Sequence, residues 1–332
     1  MNSNLSPEAI KFLENTSIFC QPWWLEAVSP GCWGIAVAKK GEEIVGIMPY
    51  TYKIRLGRFW IQDLPLIFSY TGPWIRKSSA KYSKMLTEEK DIYSELINLL
   101  PKFASYTQWL HPAVTNWLPF FWNGFKQTTR YTYIIDSGQS TEQIWDGTNA
   151  NIRTDIRKAE KQVEIIEESE INRFLQLQHI TYNQHGIKFP YPEEMLLRID
   201  DECSKRGLRK ILLAVDSQNQ VHAGAYLVWD KDCVYAILRG SDPKLRNSGA
   251  NSLVLWKAIE FANREGKKFD FAGSWVESIE RFARAFGAKQ TPFFEISKIN
   301  SKIVHGYRTV WRWTHWKVWS GRETRDTKVE QR

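Results

Sequence analysis

The spacing of apolar side chains changes along the chain, and these changes predict alternating helices and strands. Apolar residues recur at helical spacing in segments 79–100, 171–185, 193–205 and 251–263, which is typical of helices with one buried face. Short runs of β-branched and aromatic residues predict strands at 33–38, 44–52, 105–111, 128–136, 209–215, 221–229, 233–239, 269–271 and 292–298. This mixture predicts an α+β fold built from mixed sheets flanked by helices.

One stretch, residues 234–288, combines these elements in an order that suggests a binding site. The strand at 233–239 is followed by a polar turn at 245–250, the helix at 251–263 and a short strand at 269–271. Strand, polar turn, helix and strand form a βαβ unit, whose turn presents backbone N–H groups at the start of a helix. The sequence therefore predicts an anion site here, suited to a pyrophosphate or another phosphate.

The length of 332 residues favours two domains. A polar segment at 136–149 interrupts the hydrophobic pattern and is the best candidate for a boundary. We therefore expect one domain at 1–140, a second at 141–300 and a C-terminal tail at 301–332. The tail should contain a basic, Trp-rich helix and a disordered end.

Charge and cysteine usage limit the partners and the compartment. The net charge of +8 and the pI near 9.1 favour anionic partners. The four cysteines lack metal-binding spacing, and the chain has neither a signal-peptide pattern nor a long apolar run. These features predict a cytoplasmic protein with reduced thiols and no bound metal.

The tail segment 305–319 carries tryptophans and basic side chains on one helical face. Trp313, Trp316 and Trp319 stand three residues apart. Such a helix can lie in a membrane interface, or it can pack on the body of the protein. We therefore expect either a tail packed on the protein or peripheral contact with the inner face of the membrane.

A basic segment at 151–161 starts the predicted second domain. Arg153 and Arg157 lie four residues apart, and therefore on the same face of a helix. This face is either solvated or directed at an anionic substrate.

Three motifs together give residues 151–298 a resemblance to a known family. They are the basic segment NIRTDIRKAEK at 151–161, the small-residue strand AGAY at 223–226, and FDFAGS at 269–274 followed by Phe282 and FGA at 286–288. This combination resembles the FemAB-like branch of the GNAT acyltransferase superfamily, including relatives linked to capsule and exopolysaccharide synthesis. The first half resembles the family more loosely, through PWWLEAV and IVGIMPY. The resemblance implies two tandem GNAT-like domains, of which the second carries the better site.

The resemblance also implies where an acyl donor would bind. The turn Arg246, Asn247, Ser248, Gly249, Ala250 resembles the acyl-CoA loop of the superfamily, although Asn251 departs from its pattern. Acetyl-CoA is the implied donor. Its carbonyl would meet a backbone N–H of strand 235–239, where this strand separates from 269–271.

A second departure concerns the choice of donor. Ala283 stands where bridge-forming family members carry a lysine near the reacting carbonyl. Arg281 or Arg284 would have to supply a compensating charge. Together with the absence of the helical arm of some tRNA-using members, this departure favours acyl-CoA over aminoacyl-tRNA.

Candidate roles follow for individual side chains. Glu280 is the preferred general base, Asp270 is either catalytic or a structural hydrogen-bonding group, and Arg284 completes the catalytic set. The candidate substrate-binding residues are Arg153, Arg157, His222, Tyr226 and Arg239. We expect direct attack by the acceptor, because the sequence shows no pattern of an activated nucleophile.

Three functions remain open from the sequence. The first is an acetyl-CoA-dependent N-acyltransferase acting on an amine of a cell-surface glycan precursor, either an amino-sugar nucleotide or a lipid-linked sugar. The second is a peptidoglycan bridge aminoacyltransferase that uses aminoacyl-tRNA. The third is a non-catalytic basic module that binds glycan or membrane.

Overall fold

The computed structural model describes residues 6–55, 57–63, 67, 70–183, 186, 188–273 and 276–306. Its helices are α1 Pro7–Leu13, α2 Pro22–Val28, α3 Tyr82–Leu99, α4 Leu118–Trp122, α5 Thr141–Gly147, α6 Ala150–Ala159, α7 Asn172–Asn183, α8 Glu193–Lys205, α9 Ala250–Arg264 and α10 Glu277–Arg284. Its strands are β1 Trp33–Lys40, β2 Glu43–Thr51, β3 Lys53–Arg55, β4 Phe59–Gln62, β5 Trp74–Ile75, β6 Ser105–Trp109, β7 Lys126–Ile135, β8 Glu164–Glu168, β9 Arg209–Val215, β10 Val221–Trp229, β11 Cys233–Ser241, β12 Lys268–Asp270 and β13 Lys289–Ile299.

These strands form two sheets, a large mixed sheet and a small antiparallel one. The larger sheet has ten strands in the order β3-β4-β6-β13-β7-β12-β11-β10-β9-β8, and the smaller has the order β1-β2-β5. Helices α6 and α9 cover one face of the larger sheet, and α7 and α8 cover the other. The predicted α+β class is confirmed, with one large mixed sheet flanked by helices.

The two halves of the chain share the larger sheet. Strand β7, from the first half, pairs with both β12 and β13. Strand β13 in turn pairs with β6, so that the last strand lies between two strands of the first half. The domain division at residue 140 therefore falls between strands that are hydrogen-bonded into one sheet, and it remains a prediction.

The predicted βαβ unit is confirmed as β11, α9 and β12. The two strands run parallel and pair from Cys233 with Lys268 to Tyr235 with Asp270. Strand β12 ends at Asp270, whereas β11 continues to Ser241. The pairing of β11 with β10 also skips Ile237, which marks a β-bulge. Beyond Tyr235, β11 therefore has no β12 residue beside it, and a gap opens next to its backbone.

Helix α9 fits between the sheet and α6 because its sequence is apolar on nearly every side. Its buried side chains include Leu253, Leu255 and Trp256. They pack with Phe269 and Phe286 in a core cluster. Full burial of such side chains stabilises a fold by roughly 1.5–3 kcal/mol each, so this cluster holds the βαβ unit in place.

Some elements are not apparent in the hydrophobic pattern. Strands β3, β4 and β5 are only two to four residues long, and β8 is largely polar. Helix α5 occupies half of the polar segment 136–149, where Ser140 and Gln143 form a capping box. The predicted tail helix lies outside the described residues, apart from its first positions.

Candidate functional site

A cavity of about 210 Å³ lies where the turn before α9 meets the start of that helix. Its lining includes Arg246, Ser248, Gly249, Ala250 and Asn251. Four of the five predicted donor-binding residues therefore meet at one cavity. The fifth, Asn247, is exposed beside it. The first backbone N–H groups of a helix favour negative charge, so this geometry suits a phosphate.

Gly249 fixes the shape of this turn. Its φ of 78° lies in the left-handed region, and a Cβ at this position would stand 2.4 Å from the carbonyl oxygen of Asp155 on α6. Only glycine combines this conformation with so close an approach. The hydroxyl of Ser248 donates to the carbonyl of Leu245 at 2.8 Å and accepts from the N–H of Ala250 at 3.3 Å. The close approach of Gly249 to Asp155 packs the turn against α6, and the two hydrogen bonds of Ser248 stabilise its internal conformation.

His222 also lines this cavity. The pairing of β10 with β9 skips this residue, so it occupies a β-bulge. The residue is buried, with Nε2 at 3.1 Å from Asp216 Oδ2, while Nδ1 is buried and has no hydrogen-bond partner among the residues that the structure describes. Hydrogen bonds from the Gln220 N–H and from His222 lower the pKa of Asp216. His222 therefore belongs with the predicted donor-binding residues.

A second cavity, of about 180 Å³, lies along β7 beyond the end of β12. Its lining comprises Trp109, Thr129, Arg130, Tyr131, Tyr133, Ala272, Gly273, Glu280, Gln290 and Phe293. It draws side chains from β6, β7, α10 and β13, and therefore from both halves of the chain. Of the predicted site residues, it contains Glu280.

Glu280 is an ionised carboxylate held by two donors. The Tyr133 hydroxyl donates to its Oε1 at 2.5 Å, and the Arg284 Nε–H donates to the same oxygen at 2.9 Å. These two hydrogen bonds lower the pKa of Glu280. A carboxylate with a lowered pKa binds protons weakly, which disfavours the predicted role of general base.

The environment of Asp270 shifts its pKa in the opposite direction to that of Glu280. Its carboxylate is buried and accepts hydrogen bonds from Thr132 at 2.5 Å, from the Ala272 N–H at 2.8 Å and from Tyr70 at 3.3 Å. Burial outweighs these donors and raises the pKa of Asp270 to about 6. Burial likewise lowers the pKa of Arg239 to about 10, against the opposing effect of the nearby Asp270 charge.

The backbone is strained where β12 ends. Ala272 has a φ of 60° and Gly273 a φ of 56°, both in the left-handed region. This conformation costs about 1–2 kcal/mol for a residue with a Cβ. Strain of this kind concentrates at functional sites, and here it turns the chain away from β7 beside the second cavity.

Arg153, Arg157 and Tyr226 do not line either cavity. Arg153 donates to three backbone carbonyls at the end of α5, the shortest contact being 2.8 Å to Thr148. Arg157 lies over the Trp145 ring at 5.4 Å. The buried Tyr226 hydroxyl donates to Asp200 at 2.9 Å. These contacts lie within the protein, and contact of the three side chains with substrate stays a prediction.

No arginine replaces the family lysine at position 283. Ala283 is buried in the core beside α9. Arg281 and Arg284 are exposed on α10, and Arg284 is engaged by Glu280. The expected compensating charge is therefore not at this position.

Sequence reasoning missed several residues of the site. Trp109, Tyr131 and Tyr133 lie on strands of the first half, which the resemblance covers only loosely. Tyr70 reaches Asp270 across a separation of 200 residues. Only the aromatic content of β6 and β7 hinted at these contacts.

In the described ranges, no group of three or more His, Cys, Asp or Glu side chains is arranged to hold a metal ion. None of the helices described is both long enough and apolar enough to cross a membrane.

Comparison with known proteins agrees with this fold. Residues 147–282 match the family described as "Acetyltransferase (GNAT) domain". No curated protein sequence matches the chain significantly.

Several solved structures are similar over most of the chain. FemX is 13% identical, with a TM-score of 0.65 over 88% of this chain and 96% of its own. The C-terminal domain of a putative lysylphosphatidylglycerol synthetase from Agrobacterium fabrum is 11% identical, with a TM-score of 0.54 over 92% and 94%. L-PGS from Bacillus licheniformis is also 11% identical, with a TM-score of 0.53 over 94% and 98%.

The βαβ unit, the turn at the start of α9 and the family match together identify residues 147–282 as a segment with the features of a GNAT acyltransferase domain. The overall fold of the chain is similar to that of FemX.

Proposed function

We propose that the protein transfers an acetyl group from acetyl-CoA to an amine of a cell-surface glycan precursor. The acceptor is an amino-sugar nucleotide or a lipid-linked amino sugar. The observation that carries this proposal is the cavity formed by Arg246, Ser248, Gly249 and Ala250 at the start of α9. It is suited to the phosphates of the donor. The pairing of β11 with β12 ends at Tyr235. The rest of β11 therefore leaves room for the acyl group of the donor.

The transfer is a direct displacement. The neutral acceptor nitrogen attacks the thioester carbonyl carbon, a C–N bond forms, and the C–S bond breaks. The thiolate of CoA leaves with the bonding electron pair and takes up a proton, while the nitrogen loses its proton. A backbone N–H of β11 beyond Tyr235 stabilises the oxyanion, because no β12 residue pairs there.

Asp270 is the carboxylate better suited to accept the acceptor proton. Burial raises its pKa to about 6, close to neutral pH, whereas hydrogen bonds lower the pKa of Glu280. The hydroxyls of Thr132 and Tyr70 donate hydrogen bonds to the Asp270 carboxylate and fix its position. We therefore assign proton transfer to Asp270 and leave Glu280 ionised.

Calorimetry with acetyl-CoA tests the donor assignment. Replacing Arg246 with alanine should weaken binding about tenfold, because charge-assisted contacts to phosphate contribute roughly 1.5–3 kcal/mol. Lys244→Ala is the matched control, since Lys244 is exposed on the same turn outside the cavity lining. With an amino-sugar nucleotide as acceptor, the rate of CoA release should also be lower for Arg246→Ala than for Lys244→Ala. Absence of acetyl-CoA binding at millimolar concentration would contradict the proposal.

Aminoacyl transfer is a second candidate. Similarity to FemX and to the lysylphosphatidylglycerol synthetase domain extends over about nine-tenths of the chain. The net charge of +8 also suits an RNA donor. Co-purification of aminoacyl-tRNA that is lost on RNase treatment, without acetyl-CoA binding, would favour this function.

A further inference from the structure

The cavity along β7 has features of a site for a small cationic ring. We propose that it binds the acceptor as an amino sugar, whose ammonium group contacts the free Oε2 of Glu280 and whose ring lies against Trp109 and Tyr131. This inference rests on the proposed acyltransferase function and adds the acceptor site and its recognition chemistry.

The aromatic wall is held in a fixed orientation. The Trp109 indole N–H donates to Glu295 Oε2 at 2.9 Å, and the Arg130 guanidinium lies over the indole at 5.4 Å. Arg130 also forms a buried ion pair with Glu295. Phe293 packs against Trp109 edge to face, with ring centroids 5.8 Å apart. A flat ring held from several sides provides a platform for the apolar face of a sugar.

Hydrogen bonds orient the Glu280 carboxylate through only one of its two oxygens. Tyr133 and Arg284 both donate to Oε1, whereas Oε2 has no hydrogen-bond partner among the described residues. The Tyr133 hydroxyl itself accepts from Gln290 Nε2 at 2.7 Å, which fixes its direction. The side chain of Glu280 is 27% exposed, so Oε2 is accessible to a ligand. An ionised carboxylate with free lone pairs binds an ammonium group.

The charges around the cavity permit a cation. Arg130 is neutralised by Glu295, with the two side chains only 6% and 15% exposed. Arg284 is 60% exposed and occupies the other oxygen of Glu280. Aromatic faces next to a cation add further attraction. The cavity therefore favours an ammonium group over a neutral amide at the Glu280 end.

Size and position agree with an acceptor. The volume of about 180 Å³ is below the roughly 300–1,000 Å³ of sites for drug-sized ligands. It therefore suits a single ring. Ala272 and Gly273 line the cavity and directly follow the end of β12, where β11 is left unpaired. An amine in the cavity thus lies next to the gap that we assign to the acyl group. The bound ammonium group gives one proton to Asp270 and becomes the neutral nucleophile, and the second proton, lost on attack, passes to the CoA thiolate.

Calorimetry of the whole protein with glucosamine and N-acetylglucosamine tests this inference. We expect glucosamine to bind at least tenfold more tightly, because only its ammonium group pairs with Glu280. Glu280→Gln should abolish the preference while leaving weak binding of both sugars. Tyr131→Ala should weaken both sugars about equally. Glu277→Gln is the control, because Glu277 is exposed on the same helix outside the cavity lining.

Each outcome has a defined meaning. Equal affinity for the two sugars, no glucosamine binding at about 50 mM, or an unchanged preference in Glu280→Gln would overturn the inference. Acetyl-CoA binding is measured in the same samples, so failure of the donor proposal is seen separately. Intact donor binding with no sugar preference refutes only the acceptor site. Sugar preference without donor binding refutes only the choice of donor. A thermal unfolding curve for each variant identifies loss of fold.

Discussion

Asp270 and Glu280 show how two carboxylates of one molecule acquire different properties from their surroundings. Asp270 is buried, which raises its pKa to about 6, while hydrogen bonds from Tyr133 and Arg284 lower the pKa of Glu280. Environments that push the pKa values of two acids apart are a sign of divided acid–base function. We infer that Asp270 exchanges the proton and that Glu280 keeps its charge.

The pH dependence of the reaction tests this division. Asp270 must be ionised to accept a proton, so activity should fall as the pH drops below about 6. Asp270→Asn should remove this acid limb and lower kcat by roughly 10²–10⁴-fold. Glu280→Gln should keep the limb and mainly raise KM for the acceptor. The measurement is kcat/KM against pH, and an acid limb that persists in Asp270→Asn would contradict the assignment.

At the scale of single residues, the sequence predicted Asp270 and Glu280 as site residues but did not predict the side chains that contact them. The motif FDFAGS drew attention to Asp270, and the acidic start of α10 to Glu280. The burial of Asp270 and its contacts with Tyr70 and Thr132 depend on pairing between distant segments. Residues more than 130 positions apart therefore determine a pKa that no local pattern could reveal.

The turn before α9 is the element on which donor binding depends. Its strand–turn–helix pattern and its glycine were readable from the sequence, because both follow from local conformation. The approach of Gly249 to the Asp155 carbonyl was not, because α6 comes from a separate part of the chain. The bulge that places His222 at the same cavity was also hidden, because it arises from strand pairing.

Replacing Gly249 with alanine should affect both stability and donor binding. The left-handed φ costs about 1–2 kcal/mol, and the contact with Asp155 should add about 1–3 kcal/mol. Gly266→Ala is the matched control, because Gly266 has a φ of 65° with nothing within 4 Å of an added Cβ. Denaturant unfolding and acetyl-CoA calorimetry provide the two measurements. Equal effects of the two substitutions would show that the contact with α6 is unimportant.

For the whole molecule, the ten-stranded sheet is the main departure from what the sequence suggests. The fold class and the order of elements could be predicted, because they follow from periodicity along the chain. The insertion of β7 between β12 and β13 could not, because it joins strands that are more than 130 residues apart. The polar segment 136–149 suggests a boundary, yet the sheet continues across it.

Expression of chain fragments tests this arrangement. A fragment of residues 141–332 lacks β7, which leaves β12 and β13 with unpaired edges and uncovers Phe269 and Phe271. We expect it to be insoluble or to unfold without a cooperative transition. A fragment of residues 124–332 retains β7 and should recover solubility and a thermal transition. A cooperative transition in the shorter fragment, equal to that of the full chain, would contradict this expectation.

The β7–β13 ladder also limits how the enzyme can open and close. Its register joins nine residue pairs, from Lys126 with Ser297 to Ile134 with Lys289. A hinge between the two halves would have to break this ladder, so closure by rotation of one half against the other is excluded. Motions that admit substrate must instead arise in elements outside the sheet that lie beside the gap next to β11. The main candidates are α10 and the turn that leads into α9. Turnover should therefore be limited by local rearrangement of these elements and not by domain motion.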